Sequence, residues 1–389
     1  MWSNFCFVNT NPTFKIYPTT HSLPSHWDAL AVNNIFLTRN YLRILETSAP
    51  ENMTCHFIGL YQKEELVGIA LSQFINLNAI RSFGARDHCL KTKIKNFVFK
   101  NFCSHVLFIG NNMLTGQNAF YFDAKLSPVE GLLVLAKAAD LLRQQFAEKK
   151  LKVHLTAYKD FSESDADYFK TKEFRSYLKF STQPNMVLAI PENWGSMEDY
   201  VDDLNKKYRD QYKRARKKAT GLTKRKLSLE EIRFHRSTIV KLYRNVAENA
   251  PFNTFYLPED HFEVFKETLN EKFLFYGYFI DNQLIGFNTL IKNGSDFDTY
   301  FLGYDSQFQQ EKMLYLNMLY DMIGYSIKKK CKRIIFARTA LEIKSGVGAK
   351  PIQMVGFIKH HNPLINAFVA RFFGYLEPET HWQERHPFK

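Results

Sequence analysis

The sequence repeats one order of helices and strands, and this repeat constrains the fold more than any other feature. The first copy opens with an amphipathic helix pattern over 34–47, followed by two strand patterns, CHFIGLYQ and ELVGIALSQFINL, around a polar turn. The second copy has helix patterns over 229–250 and 258–271, followed by the strand patterns LFYGYFI and QLIGFNTLI. Each copy continues through a strand, a long helix, a strand, a short helix and a last strand. In the second copy the first of these strands is DTYFLGY, over 298–304, and in the first copy the long helix starts at about Ser127 with Pro128 in its first turn. The order predicts an α/β protein of two tandem units, each a mixed sheet covered by helices.

We expect the first unit to span 1–190 and the second to span 191–389. The strand pattern NMVLAI ends the first unit, and a helix over about 198–220 opens the second. No Gly/Ser or Pro tract separates the two, so structured elements are expected to connect them. The length of 389 residues suits two or three domains of roughly 150 residues each.

Composition excludes several classes of protein. Hydrophobic residues make up 45% and charged residues 23% of the chain, which argues against a disordered or fibrous protein. The five cysteines are widely spaced and form no C-x-x-C pair, so neither a disulfide framework nor a metal site is expected. The N-terminal residues lack a secretory signal pattern, and no apolar stretch is long enough to cross a membrane. We expect a cytoplasmic protein, with peripheral attachment to the inner face of the membrane as the open alternative.

Positive charge is concentrated in one region. The formal net charge is +13, and residues 205–226 carry eleven cations and one anion. An ordinary solvated helix face is the simplest interpretation, but so dense a run of like charge repels itself and favours an acidic partner. The alternatives are tRNA phosphates, an acyl carrier protein and an anionic membrane surface. The residues expected to bind this partner are Lys207, Arg209, Lys213, Arg214, Arg216 and Lys217.

Several segments together resemble a known group of proteins. They are WDALAVNNIFLTRNYLRILE, PNMVLAIPENWGSMEDYVDDLNKKYRDQYKRARKK, GYFIDNQLIGF and FARTALEIKSGVGA. The sequence is similar to the FemABX-like peptidyltransferases and FemAB-like N-acyltransferases, including bacterial proteins of the peptidoglycan biosynthesis or recognition type. This resemblance implies two GNAT-like units, each with a mixed, mostly antiparallel sheet, and favours the second unit as the site of activity.

The sequence departs from acetyl-CoA-dependent members of this superfamily at one loop. Those members carry a glycine-containing loop whose backbone N–H groups bind the donor pyrophosphate at a helix N-terminus. The equivalent stretch here is DSQFQQEKMLYLNM, which contains no glycine. We therefore expect no tightly bound cofactor, and the co-substrate stays open among an acyl-CoA thioester, an acyl carrier protein and an aminoacyl-tRNA.

The resemblance implies an N-acyltransferase that moves an acyl or aminoacyl group to a primary amine, in cell-envelope or lipid biosynthesis. Such a reaction needs a proton acceptor for the amine and donors for the developing oxyanion. The alternative is a non-catalytic GNAT-fold protein that binds a cell-wall precursor, an anionic lipid or a nucleic acid. Fold analogy alone does not separate the two.

The strongest candidate residues follow the strand pattern RIIFA. Arg338 is expected to face the cleft, where it binds a phosphate or carboxylate of the donor or pairs with a buried acid. Thr339 and Glu342 fit a capping box. Glu342 and Lys344 also resemble the acid and lysine that follow the last central strand in FemAB-like acyltransferases. The resemblance makes Glu342 a candidate proton acceptor, and Thr339, Lys344 and Ser345 candidates for donor binding.

The remaining candidates are aromatic or imidazole groups. His361 is a candidate base, with a surface turn at Asn362-Pro363 as the competing interpretation. Tyr304 is a candidate proton donor and Tyr315 a donor-binding residue, although core packing is common for tyrosines in so aromatic a chain. Cys331 lies away from the cleft end of its strand, which argues against a covalent intermediate. The tail from Trp382 is expected to fold back on the second unit.

Overall fold

The computed structural model describes residues 11–79, 100–250, 253–376 and 382–389, which leaves Cys6 and Cys89 outside the described residues. The described chain forms one sheet of 14 strands with helices on both faces. The strands are β1 (Thr13–Tyr17), β2 (Met53–Gln62), β3 (Glu65–Asn76), β4 (His105–Ile109), β5 (Phe120–Phe122), β6 (Leu155–Phe161), β7 (Leu178–Ala189), β8 (Thr223–Lys226), β9 (Phe273–Ile280), β10 (Gln283–Asn293), β11 (Asp296–Thr299), β12 (Gly303–Tyr304), β13 (Arg333–Ala337) and β14 (Lys350–His360). The helices are α1 (Trp27–Leu30), α2 (Arg39–Thr47), α3 (Pro128–Glu148), α4 (Met197–Asp203), α5 (Lys206–Lys218), α6 (Leu229–Phe234), α7 (Arg236–Asn249), α8 (His261–Leu269), α9 (Ser306–Lys312), α10 (Leu314–Lys328), α11 (Leu341–Ser345) and α12 (Pro363–Leu376).

The sheet has the same local topology in both halves. The strands lie in the order β1-β2-β3-β4-β6-β14-β7-β13-β11-β10-β9-β8, with β5 on β3 and β12 on β10. Two neighbouring pairs are parallel, β4 with β6 and β11 with β13, and the other pairs are antiparallel. In each half, a short strand pairs with the strand that precedes the parallel pair. This confirms the predicted α/β architecture of mixed, mostly antiparallel sheets.

The two halves exchange their last strands. β14 pairs with β6 of the first half, and β7 pairs with β13 of the second half. β7 and β14 also pair with each other, so the sheet is continuous across the middle of the molecule. The exchange makes the two halves depend on each other for a complete sheet.

Helices cover both faces of the sheet. On one face, α1 and α2 of the first half and α6 to α8 of the second half bury one shared apolar cluster, which includes Trp27, Tyr41, Phe265 and Phe287. On the other face, α3 covers the first half, while α4, α5, α10 and α11 cover the second half in two separate clusters. The shared cluster is the main apolar contact between the halves.

Local sequence signals explain where several elements begin. Ser127 accepts from the Glu130 N–H, Glu130 bonds back to Ser127, and Pro128 occupies the first position of α3. The β9–β10 hairpin turns through Asp281 and Asn282, which have φ of 47° and 64°. Two positive φ values are what a two-residue hairpin turn requires. The predicted helix and hairpin are therefore confirmed at these positions.

Three predicted elements are interrupted. The helix predicted over 198–220 is two helices, because extended Leu204 pairs with Phe388 and the Asn205 N–H donates to the Pro387 carbonyl. The helix predicted over 229–250 breaks at His235 into α6 and α7. The strand predicted over 298–304 leaves β11 and rejoins the sheet as β12. None of the helices within the described segments combines the length and apolarity needed to cross a bilayer.

Candidate active site

The second half contains an opening in the sheet. β11 and β13 pair only from Asp296 opposite Arg333 to Asp298 opposite Ile335. Beyond Thr299 the chain turns to β10, where Tyr304 pairs with Gly286. The two neighbouring strands therefore separate, and the end of β13 and the start of α11 lie on one side of the gap.

Backbone strain is concentrated at the end of β13. Ala337, Thr339 and Ala340 have φ of 59°, 65° and 47°. This left-handed region costs an L-residue with a side chain roughly 1 to 2 kcal/mol. Strain of this kind clusters at functional sites, where the surrounding structure holds it in place.

The predicted capping box at Thr339 and Glu342 is wrong. The residue that caps α11 is Ala340, whose side chain makes no hydrogen bond to the first N–H groups of the helix. Because α11 begins at Leu341, Thr339 lies one residue before the cap position. The Glu342 carboxylate, half-exposed, instead forms an ion pair with Arg385 of the tail.

Lys344 is the most perturbed candidate residue in the opening. Its side chain is buried, and Nζ donates to the carbonyl oxygens of Arg338 at 2.6 Å and Ala337 at 3.4 Å. No carboxylate of the described residues pairs with it. Burial therefore lowers the pKa of Lys344 to about 7. Ser345 beside it donates to the Glu342 carbonyl and accepts from the Arg385 N–H.

The Arg338 guanidinium points away from Lys344 and toward the first half. It forms an ion pair with the fully buried carboxylate of Asp160, and it bonds to Thr182 and to the Gln183 carbonyl. Burial lowers the pKa of Arg338 to about 10. Of the two predicted roles, this contact corresponds to pairing with a buried acid.

The equivalent opening in the first half is bridged by a lysine. Beyond Ile109 and Tyr158, where β4 and β6 separate, Lys159 Nζ donates to the carbonyl oxygens of Asn111 at 2.9 Å and Leu114 at 3.1 Å. The Lys159 stem also occupies the space in which a side chain at residue 110 would lie. In the second half, Lys344 bonds only to its own side of the gap. The two openings therefore differ in what spans them.

The glycine-free stretch after β12 is folded into α9. Asp305 caps this helix, and Gln309 Oε1 accepts the Tyr315 N–H at 2.7 Å near the start of α10. The helix N-terminus that the resemblance assigns to donor phosphate is thus capped by the chain itself. The rings of Tyr304 and Tyr315 lie 6.3 Å apart, and burial raises the pKa of both phenols.

The cations of α5 fall into two groups. Arg216 is half-buried and bonds to Asp321 at 2.8 Å and to Asn317 at 3.2 Å, so it anchors α5 to α10. The others form no ion pair with any described residue, and all but half-buried Arg209 are exposed. They are Lys206, Lys207, Arg209, Lys213, Arg214, Lys217 and Lys218.

Other candidates lie outside the opening. His361 bonds to Thr156 of β6 at 2.8 Å, and burial lowers its pKa to about 4. Cys331 is buried and its pKa is raised to about 11, so the thiol stays protonated near neutral pH. The tail folds back on the second half as predicted, with Phe388 packed against Trp194 and Tyr200. The described residues hold no cluster of three or more His, Cys, Asp or Glu suited to a metal.

No protein-family model matches the chain, and no curated protein sequence matches it. Among solved structures, FemX is similar with a TM-score of 0.53 and 12% identity, over 91% of this chain and 99% of FemX. A tandem GNAT protein from the clavulanic acid biosynthesis pathway is similar with a TM-score of 0.50 and 8% identity, over 89% of this chain and 98% of that one. The chain has a tandem GNAT fold. At these identities the likeness concerns the fold alone.

The sequence patterns did not indicate three features of the candidate site. Asp160 and Lys159 lie in a strand without a motif, and only the pairing of the two halves brings Asp160 to Arg338. The adjacent charges of Lys159 and Asp160 at the end of the strand pattern KVHLTAYKDF were the one available signal. The strain at Ala337 had no signal, because alanine rarely adopts a positive φ.

Proposed function

We propose that the protein is an N-acyltransferase that moves an acyl or aminoacyl group from a thioester or ester donor to a primary amine. The carrying observation is the amine of Lys344 at the opening between β11 and β13, which is buried without a carboxylate partner among the described residues. GNAT folds host other activities, so the site, rather than the fold, supports this function. Strained backbone on the same side of the gap adds to that support.

In this proposal the second half holds the reaction. The acceptor amine attacks the acyl carbon, a C–N bond forms, and the C–S or C–O bond to the donor breaks. With its pKa near 7, Lys344 accepts the proton that the amine loses and returns it to the leaving sulfur or oxygen. Glu342 has no part, since Arg385 holds its carboxylate. The phenol of Tyr304 lies on the other side of the gap.

The donor is proposed to be carried by an acidic macromolecule. Gln309 caps the helix end where a CoA pyrophosphate would bind, which disfavours free CoA thioesters. The cations of α5 that form no ion pair with a described residue lie next to the start of α10, because Asn317 of α10 donates to the Ala215 carbonyl of α5. An acyl carrier protein or a tRNA provides the complementary charge.

A matched pair of variants tests the proposal. Lys344→Met keeps the length of the side chain and removes the amine, whereas Lys350→Met removes an exposed lysine of β14. The proposal expects Lys344→Met to lower transfer at least about a hundredfold, within the range of general acid–base catalysis, with Lys350→Met unchanged. Equal activity of both variants would contradict it.

The cap that Gln309 forms at the start of α10 also favours a second function, which is binding without catalysis. In that case the protein binds an acidic ligand through α5 and consumes no donor. Such binding weakens steeply with salt, because it depends on released counterions. Salt-sensitive binding of an acidic ligand by the wild type, without transfer from any donor, would support this alternative.

A further inference from the structure

The helix α12 presents an apolar face to solvent. Leu364 and Phe368, one turn apart, are 78% and 52% exposed, and Phe102 nearby is 41% exposed. The His360 Nε2 N–H donates to the Phe102 carbonyl at 2.7 Å and holds Phe102 beside the start of the helix. Large apolar side chains grouped at one surface point to an interaction site. We name Phe102, Leu364 and Phe368 the apolar patch.

The composition around the apolar patch is complementary to an anionic surface. The 14 residues of α12 contain one cation and no acid. Two exposed cations, Lys100 and Lys152, form no ion pair with a described residue. Lys152 lies in this region because its carbonyl accepts from His105 at 2.9 Å, and His105 stacks on His154, which stacks on His360.

We propose that the apolar patch rests on a bilayer that contains anionic lipids. An apolar helix face with flanking lysines meets the two conditions for stable attachment at an interface, which are insertion of apolar side chains and attraction to headgroup phosphates. A protein partner would need a shaped, partly polar surface, whereas acyl chains accept a uniformly apolar one. The attachment does not depend on acyl transfer.

The proposal assigns membrane contact to α12 and not to the basic helix α5. The cations of α5 are distributed around a helix whose buried residues, Tyr208 and Ala215, face the protein. That helix therefore has no apolar side chains free to insert. The two surfaces can be tested separately.

Sedimentation of the full chain with vesicles tests the assignment. The vesicles are phosphatidylcholine alone and phosphatidylcholine with phosphatidylglycerol. The wild type is expected to bind the anionic vesicles, and Leu364→Asp/Phe368→Asp is expected to bind them at least about tenfold more weakly. The control Phe234→Asp changes an aromatic residue on α6 that is more exposed than Phe368, at 82%, and is expected to bind as wild type.

Variants of α5 and measurements of thermal stability serve as two further controls. Lys213→Glu/Lys217→Glu on α5 is expected to retain vesicle binding, and thermal midpoints confirm that every variant is folded. If the aspartate pair lowers the midpoint, Leu364→Ser/Phe368→Ser replaces it. The proposal is overturned if wild type ignores anionic vesicles, if the α12 variants bind like wild type, or if α5 variants alone lose binding. A wild-type dimer that the α12 variants convert to monomers, with no vesicle binding, would also overturn it.

Discussion

Arg338 of the second half forms an ion pair with Asp160 of the first, inside the sheet that the two halves share. Asp160 also bonds to Lys159 at 2.7 Å and accepts the Gly116 N–H at 3.2 Å. The carboxylate is fully buried, so its charge depends on these partners. Asp160 thus links the opening of the first half, which Lys159 bridges, to the end of β13, which borders the opening of the second half.

Loss of the Arg338 charge is expected to destabilise the whole chain. Arg338→Met leaves the Asp160 carboxylate buried with one partner fewer, which lowers the free energy of unfolding by about 3 kcal/mol. Urea denaturation measures the change. The control is Arg333→Met, which breaks a half-exposed pair with Asp296 and is expected to cost about 1 kcal/mol or less. Equal losses would show that Asp160 is not held by Arg338.

The titration of Lys344 is expected to make stability depend on pH. Burial lowers its folded-state pKa to about 7, whereas an unfolded lysine titrates near about 10.4. Between these pH values the unfolded chain binds a proton that the folded chain lacks. The free energy of unfolding therefore rises with pH in this window, by at most about 1.4 kcal/mol per pH unit. Well below pH 7, where both states bind the proton, this contribution is constant.

Urea denaturation at several pH values from 7 to 9 measures this rise. Lys344→Met is expected to remove the part of the slope that belongs to this residue, and Lys350→Met is expected to keep it. A wild-type slope identical to that of Lys344→Met would mean that the amine titrates normally in the folded protein.

The tail is expected to require glycine at position 348. Gly348 has φ of 98°, and a side chain there would collide with the Phe388 ring. Gly221 has φ of 82° with open space around it. Gly221→Ala is expected to cost about 1 kcal/mol from backbone strain alone. Gly348→Ala adds overpacking and is expected to cost about 3 kcal/mol in total. Similar thermal midpoints for the two variants would argue against tail docking.

Arg216 is expected to behave differently from its neighbours on α5. Arg216→Ala removes the bonds to Asp321 and Asn317 and is expected to lower the free energy of unfolding by about 2 kcal/mol. Lys213→Ala, one turn away and exposed, is expected to change it by less than about 0.5 kcal/mol. Chemical denaturation of both variants checks the contrast. If Arg216→Ala is as stable as the wild type, the bonds of Arg216 to Asp321 and Asn317 do not stabilise the contact between α5 and α10.

The sequence was sufficient to predict most elements, because apolar periodicity, turn residues and caps are local. Ser127 and Pro128 placed the start of α3 correctly. The exchange of β7 and β14 was not predictable, since both strands have the same apolar pattern whichever neighbour they pair with. The sequence predicted a helical Leu204, but its backbone is extended because it pairs with Phe388, far along the chain.

The candidate site was predicted unevenly for the same reason. Lys344 was identified through the resemblance of its segment to FemAB-like acyltransferases, but its burial depends on how α11 packs over β13. Glu342 was assigned a cap and a catalytic role, and its partner Arg385 comes from the distant tail. Asp160 carried no motif at all. Local sequence patterns identify candidate residues, whereas the partners that these residues contact are determined by the tertiary structure.

The consumption of loaded donors in the presence of primary amines tests the central claim most directly. Purified wild type and Lys344→Met are each given an acyl-CoA, an acyl carrier protein with a bound acyl group and an aminoacyl-tRNA, with and without a panel of amines. The account predicts that wild type consumes a macromolecular donor only when an amine is present, and that Lys344→Met does not. No consumption of any donor by wild type, or equal consumption by both proteins, would contradict it.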